Sequence, residues 1–237
     1  MSSLNDLRPL LLAVLTASCA VTHSTSPIVR QQCYNPAEQL ASVLKPLQAA
    51  RARGCAPGNF NGESACDALE QEVQRLAAIC PGNQPILTAN AVIAYDEHRA
   101  AESQQYLDQI LAEPGQHPDA AALRGQLAIE AGNIPYAIKM LDEQIVLAPA
   151  HAGLRETRAA ALYVYNRFDE ARTDLALAEK LGAPRWRVAY HLGLIEEANA
   201  RRDEAARLYT ESLAGNPGFA PADARLKALQ AGSVARP

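Results

Sequence analysis

The chain has 237 residues, of which 49% are hydrophobic, with only three Phe and one Trp. That length allows one large or two small domains, and a composition poor in aromatic residues favours close packing between helices. The formal net charge is −4, and acidic and basic residues are interspersed. Nucleic-acid binding needs a positive surface, so this composition excludes that class of partner.

Residues 1–18 are predicted to be an export signal. Their apolar run, Leu10 to Leu15, is too short to span a bilayer as a permanent helix. The ending "LTASC" resembles the lipobox of bacterial lipoproteins, although its apolar positions depart from the usual pattern. The resemblance implies that Cys19 carries a palmitate-containing lipid anchor on the periplasmic side of the outer membrane. Ordinary cleavage after Ala20 is the alternative, and it would release the chain into the periplasm.

Residues 19–32 contain Ser, Thr and a proline but no hydrophobic periodicity, which predicts a flexible tether. The four cysteines that follow all lie in the N-terminal third of the chain: Cys33, Cys55, Cys66 and Cys80. A zinc site built from these thiolates would normally show cysteine pairs two to four residues apart. None is present, so two disulfides formed in an oxidising compartment are the favoured interpretation.

Residues 33–83 are predicted to form a helical hairpin. Asn35 is a candidate N-cap for the first helix, which ends at Gly54, and Ser64 begins the second. At about 1.5 Å per residue both helices are roughly 25 Å long, so their ends coincide when they run antiparallel. This matching places Cys33 beside Cys80 and Cys55 beside Cys66, which predicts the two disulfides. Pro46 is expected to kink the first helix or break its hydrogen bonding locally.

A period of 34 residues begins after this hairpin and divides the chain into four blocks: 84–117, 118–151, 152–185 and 186–219. Three columns of the alignment agree without gaps. Position eight holds Ala91, Gly125, Ala159 and Gly193. Position twenty holds Ser103, Ala137, Ala171 and Ala205. Position twenty-four holds Leu107, Leu141, Leu175 and Tyr209.

This pattern resembles the tetratricopeptide repeat (TPR), in which two helices, A and B, form one helix-turn-helix unit. The small residues let helix A approach helix B, and the large apolar residue fills the space between them. The resemblance implies an all-α fold, a right-handed α-solenoid. Position seven departs from the family pattern with Asn90, Arg124 and Arg158. The hairpin is interpreted as a degenerate repeat, and residues 220–237 as a capping helix and tail.

Helix A elements of such a solenoid line a concave groove. The family resemblance implies that positions two, five, nine and twelve face it. The candidate groove residues on this basis are Tyr95, Gln126, Glu156, Tyr163, Arg187, Tyr190, Leu194 and Glu197. The tyrosines suit recognition of an extended or helical peptide segment. The alternative is that they only pack between repeats. The family's Lys- and Asn-rich carboxylate clamp is not reproduced.

Enzymatic activity is not expected, because no phosphate-binding loop, zinc-protease motif or nucleophile elbow is present. The five histidines are scattered, and no metal, cofactor or small-molecule substrate is predicted. We therefore expect a non-enzymatic scaffold or assembly factor of the bacterial envelope. The lipoproteins it resembles include pilotins of type IV and tight-adherence pilus secretins and adaptors of peptidoglycan synthesis or hydrolysis. A soluble periplasmic adaptor subunit of an enzyme or polysaccharide-export complex is the alternative.

Overall fold

The computed structural model describes residues 33–55 and 64–234, and within these ranges it contains eleven helices and no strand. The predicted signal, the predicted tether and Cys19 lie outside the described residues. The helices, in chain order, are α1 Pro36–Ala52, α2 Ala65–Ile79, α3 Gln84–Asp96, α4 Ala100–Ala112, α5 Pro118–Glu130, α6 Ile134–Leu147, α7 Ala152–Val164, α8 Phe168–Lys180, α9 Arg185–Ala198, α10 Arg202–Gly215 and α11 Ala220–Val234.

Helices α1 and α2 form the predicted N-terminal hairpin, and both predicted disulfides are confirmed. Cys33 is bonded to Cys80 at one end, and Cys55 to Cys66 at the other. A shared apolar core, which includes the fully buried Val73, lies between the two helices. The bridges therefore connect the two ends of an already packed helix pair.

The starts of these two helices differ in their capping. Ser64 caps α2 through a capping box, because its side chain accepts from the Asp67 backbone N–H and the Asp67 carboxylate accepts from the Ser64 N–H. Asn35 precedes α1 but makes no side-chain cap hydrogen bond, since its backbone is left-handed (φ 46°). Its amide instead donates to the Glu38 carboxylate at 3.3 Å. Pro46 lies inside α1 without ending it.

The next eight helices follow as pairs with an unbroken spacing. The second helix of each pair begins at Ala100, Ile134, Phe168 and Arg202, which are 34 residues apart. The strongest contacts join the two helices of each pair, and further contacts join each pair to the next. Helix α11 packs on α10 and buries Ala222 and Leu229. The chain is thus a stack of helix pairs whose last pair is covered by a single helix.

The repeat columns explain this packing. Small residues at positions eight and twenty are almost completely buried. Ala91, Ala159, Ala171 and Ala205, for example, have an exposure of 0 or 1%. The large residues at position twenty-four are fully buried in all four repeats. Small and large side chains are therefore complementary at each crossing of helix A and helix B.

The unusual residues at position seven connect neighbouring repeats. Arg124 of α5 donates to Asp108 of the preceding α4 at 2.8 Å. Arg158 of α7 donates to Asp142 of the preceding α6 at 2.6 Å, and also to the buried Asp174. Because Asp108 and Asp142 are equivalent positions, the same interaction recurs one repeat later. The departure from the family pattern at this position thus has a structural role.

Candidate functional site

The inner face of the solenoid contains one cavity of about 420 Å³ that is shared by helix A of all four repeats. Positions two, five, six and nine contribute to it, which is one face of a helix at the spacing i, i+3, i+4, i+7. The lining residues are Thr88, Val92, Asp119, Ala122, Leu123, Gln126, Gly153, Glu156, Thr157, Ala160, Arg187 and His191. We call this cavity the groove. Its position between all four repeats makes it the candidate functional site.

Glu156 and Arg187 form the central polar feature of the groove. The Arg187 guanidinium donates from Nε to Oε1 of Glu156 at 3.0 Å and from Nη2 to Oε2 at 2.6 Å. The Glu156 side chain is 9% exposed, whereas that of Arg187 is 44% exposed. Arg187 also lies over the Trp186 ring, 5.9 Å from its centroid. Glu156 is therefore a buried residue on the floor of the groove.

Two histidines lie in or next to the groove lining. His151 accepts the Leu154 backbone N–H at Nδ1, so Nε2 holds the proton that it donates to Asp119 at 3.0 Å. His191 faces the groove beside the ring of Tyr190, at 5.4 Å between centroids. Burial, and then the neighbouring Arg187 charge, lower the pKa of His191 to about 4. His191 is consequently a neutral imidazole near neutral pH.

The eight residues proposed from the sequence divide into three sets. Gln126, Glu156 and Arg187 line the groove. Tyr95 instead borders a separate depression near the turn between α3 and α4, where its hydroxyl donates to Glu130 at 2.5 Å. Burial and this carboxylate raise the pKa of Tyr95 to about 12.

The other four proposed residues pack at the C-terminal end of the solenoid. Tyr190 lies edge-on to Phe219, 5.0 Å between centroids, and Tyr163 lies 6.0 Å from Phe168. Leu194 is buried in the last apolar cluster. Glu197 accepts the hydroxyl of the buried Tyr209 at 2.7 Å. These contacts show that the four side chains pack within the protein. Their role in partner binding stays a prediction.

Position six also contributes to the groove, although it is not among the positions predicted from the sequence. Leu123, Thr157 and His191 occupy this position and line the groove. Their spacing from positions two, five and nine follows the helical period, so that periodicity was the available signal. Position twelve lies a further turn along helix A and does not contribute to the groove.

The described residues contain no group of three or more His, Cys, Asp or Glu side chains placed to hold a metal ion. Within that same part of the chain, none of the helices combines the length and apolar character needed to cross a membrane. The chemistry that the groove offers is hydrogen bonding beside an apolar wall formed by Val92, Ala122 and Leu123.

The fold is that of tetratricopeptide-repeat proteins, as the sequence predicted. Comparison with protein-family models and with curated proteins finds no match. A thermophilic TPR protein of Thermus thermophilus is similar in structure, with a TM-score of 0.65 and 15% identity over 81% of this chain and 98% of that one.

Two further solved structures share the architecture. MamA from Desulfovibrio magneticus RS-1 has a TM-score of 0.53 and 14% identity over 77% of this chain and 98% of that one. YrrB, described as a TPR protein with an unusual peptide-binding site, has a TM-score of 0.50 and 10% identity over 82% of this chain and 98% of that one. At these identities the similarity establishes the fold alone.

Proposed function

We propose that this chain is a non-enzymatic scaffold that holds a peptide segment of a partner protein in the groove. One observation supports this most strongly: a single cavity runs along helix A of all four repeats and contains a half-exposed guanidinium. An elongated groove of this kind suits a chain segment better than a compact ligand. The peptide-binding site described for YrrB is consistent with this use of the fold.

The proposal extends to location. The lipobox-like "LTASC" supports a lipid anchor at Cys19, and two disulfides are typical of an oxidising compartment. The scaffold then acts at the periplasmic side of the bacterial outer membrane, in assembly of a pilus, secretion or cell-wall complex.

Metabolic labelling with palmitate tests the anchor. The wild-type chain is expected to incorporate label and to fractionate with membranes, and Cys19→Ala is expected to lose both properties. An unlabelled wild-type chain in the soluble periplasmic fraction would instead favour the soluble adaptor. This experiment does not depend on the groove.

Groove-filling variants test the binding site. Ala122→Gln and Ala160→Gln add uncharged bulk where both side chains line the groove. We expect crosslinked capture of envelope proteins, quantified by mass spectrometry, to fall at least tenfold. Ala176→Gln and Ala214→Gln are matched controls, because both residues are exposed on helix B elements. Equal capture by groove and control variants would reject the groove as the binding site.

For variants of Tyr163 and Tyr190, the stability of the fold has to be measured together with partner capture. Because both pack against neighbouring rings, their replacement by Ala is expected to lower the melting temperature. Circular-dichroism melts of the double variant separate lost binding from lost structure. A fully folded double variant without capture would assign these tyrosines to the partner contact.

A further inference from the structure

The Arg187 guanidinium is held in place, but not all of its N–H donors have an acceptor. Its Nε and Nη2 donate to Glu156, and the Trp186 ring lies beneath it. Nη1 has no hydrogen-bond partner among the described residues, although the side chain lines the groove. A guanidinium has five N–H donors in a rigid plane, so fixing one edge also fixes the direction of the others. The groove therefore presents oriented donors to an incoming acceptor.

The charge of the Arg187 guanidinium is already balanced by the Glu156 carboxylate. Asp119, the other charged residue of the lining, accepts from His151, and its side chain is 82% exposed, so solvent screens its charge. A carboxylate of the ligand would lie close to the buried Glu156 carboxylate, which already accepts from the guanidinium. A cation of the ligand would be repelled by the guanidinium. Electrostatic complementarity thus favours an uncharged acceptor over a charged side chain.

The remaining polar groups of the lining are uncharged. Thr88 and Gln126 lie on the first two repeats, and His191, a neutral imidazole, lies on the fourth. Small residues at Gly153 and Ala160 leave the floor open between them. Neighbouring helices are 8–10 Å apart and an extended strand rises about 3.3 Å per residue, so four helices span roughly nine residues of extended chain.

We propose that the groove recognises the main chain of an uncharged, extended segment, with Arg187 Nη1 donating to one backbone carbonyl oxygen of that segment. Glu156 is a positioning residue that orients the guanidinium and cancels its charge. This inference rests on the protein-binding function proposed above and specifies its ligand as a neutral peptide segment without a required acidic side chain.

Selection from defined peptide pools tests the proposal. The probes are acetylated and amidated peptides of about nine residues, in an uncharged pool, a pool with Asp or Glu, and a pool with Lys or Arg. The folded full chain is expected to enrich the uncharged pool at least tenfold over either charged pool. Binding of the enriched peptides is expected to change less than twofold between low and physiological salt, because no ion pair forms.

An ester scan of the best peptide tests the main-chain contact in the wild-type chain. An ester carbonyl is a weaker acceptor than an amide carbonyl. Affinity is therefore expected to fall several-fold at one position, and this loss is expected to disappear in Arg187→Gln. A flat scan would overturn the main-chain contact.

The variant Glu156→Gln supplies the sharpest contrast. It leaves the Arg187 charge uncompensated, so the preference is expected to move at least tenfold toward the acidic pool. Glu204→Gln, which breaks the exposed pair with Arg207 on α10, is the matched control and is expected to change nothing. Enrichment of acidic peptides by the wild-type chain would overturn this proposal while the scaffold function stands. If peptides from none of the three pools bind in the groove, both this proposal and the proposed scaffold function are overturned.

Discussion

The ring of Tyr209 occupies the space into which a side chain at Gly193 would project. A Cβ atom built on Gly193 lies 2.6 Å from Cε1 and 2.8 Å from Cδ1 of Tyr209. The two residues hold positions eight and twenty-four of the last repeat, where α9 crosses α10. The large residue of this repeat is thus accommodated by the absence of a side chain opposite it.

Gly193→Ala is expected to destabilise the chain by about 1–3 kcal/mol, because the added methyl overpacks a buried crossing. Gly125→Ala is the matched control at position eight of the second repeat, where the nearest atoms are Leu141 Cδ1 at 3.0 Å and Thr157 Cγ2 at 3.1 Å. There, the gain in helix propensity of up to about 1 kcal/mol is expected to offset the crowding. Urea denaturation measures the unfolding free energy of both variants.

Tyr209→Leu is expected to restore much of the stability of Gly193→Ala, since the pair would then match Ala159 and Leu175 of the third repeat. Equal stability of Gly193→Ala and the wild-type chain would contradict the proposed packing.

Arg187→Ala is expected to cost about 2 kcal/mol of unfolding free energy, because it leaves the Glu156 carboxylate buried and unpaired. The double variant Glu156→Leu/Arg187→Leu removes both charges and is expected to cost less than Arg187→Ala. Urea denaturation of these variants checks this order, and the single variants Glu156→Leu and Arg187→Leu complete a thermodynamic cycle with the double variant. Strictly additive losses would show that the two side chains do not interact.

The two disulfides are expected to contribute unequally. Cys33–Cys80 closes a loop with a sequence separation of 47, and Cys55–Cys66 one of 11. In the chain-entropy model these correspond to about 4 and about 3 kcal/mol. Paired Cys→Ser variants, melted side by side, are expected to show the larger loss for Cys33 and Cys80. The reverse order would indicate that the stabilisation by these disulfides is mainly enthalpic.

Stability is expected to fall as the pH decreases from about 6.5 toward 4 because of His191. Its pKa is near 4 in the folded chain and about 6.5 in an unfolded one, so the unfolded state binds more protons in this window. The contribution is of the order of 2 kcal/mol, because partial exposure to the groove screens the full difference.

His191→Gln is the control, since it removes the titration and keeps a hydrogen-bonding side chain. The difference in unfolding free energy between this variant and the wild-type chain is expected to change across that pH window. A constant difference would contradict the lowered pKa.

The sequence by itself determined the architecture, because the signals involved are local or periodic. A period of 34 residues with small and large columns specifies how helix A meets helix B, and equal helix lengths specify which cysteines meet. Both depend only on helix geometry within one unit. The disulfides Cys33–Cys80 and Cys55–Cys66 could be predicted on that basis alone.

Only the tertiary structure decided which side chains share the groove and which pack between repeats. Tyr190 and Glu197 lie on helix A as predicted, yet Phe219 and Tyr209 engage them. Glu156 is buried because Arg187 of the next repeat closes over it. Such contacts depend on the distance and rotation between successive repeats, which a pattern within one repeat does not specify. The fold followed from repetition, and the site from the way the repeats stack.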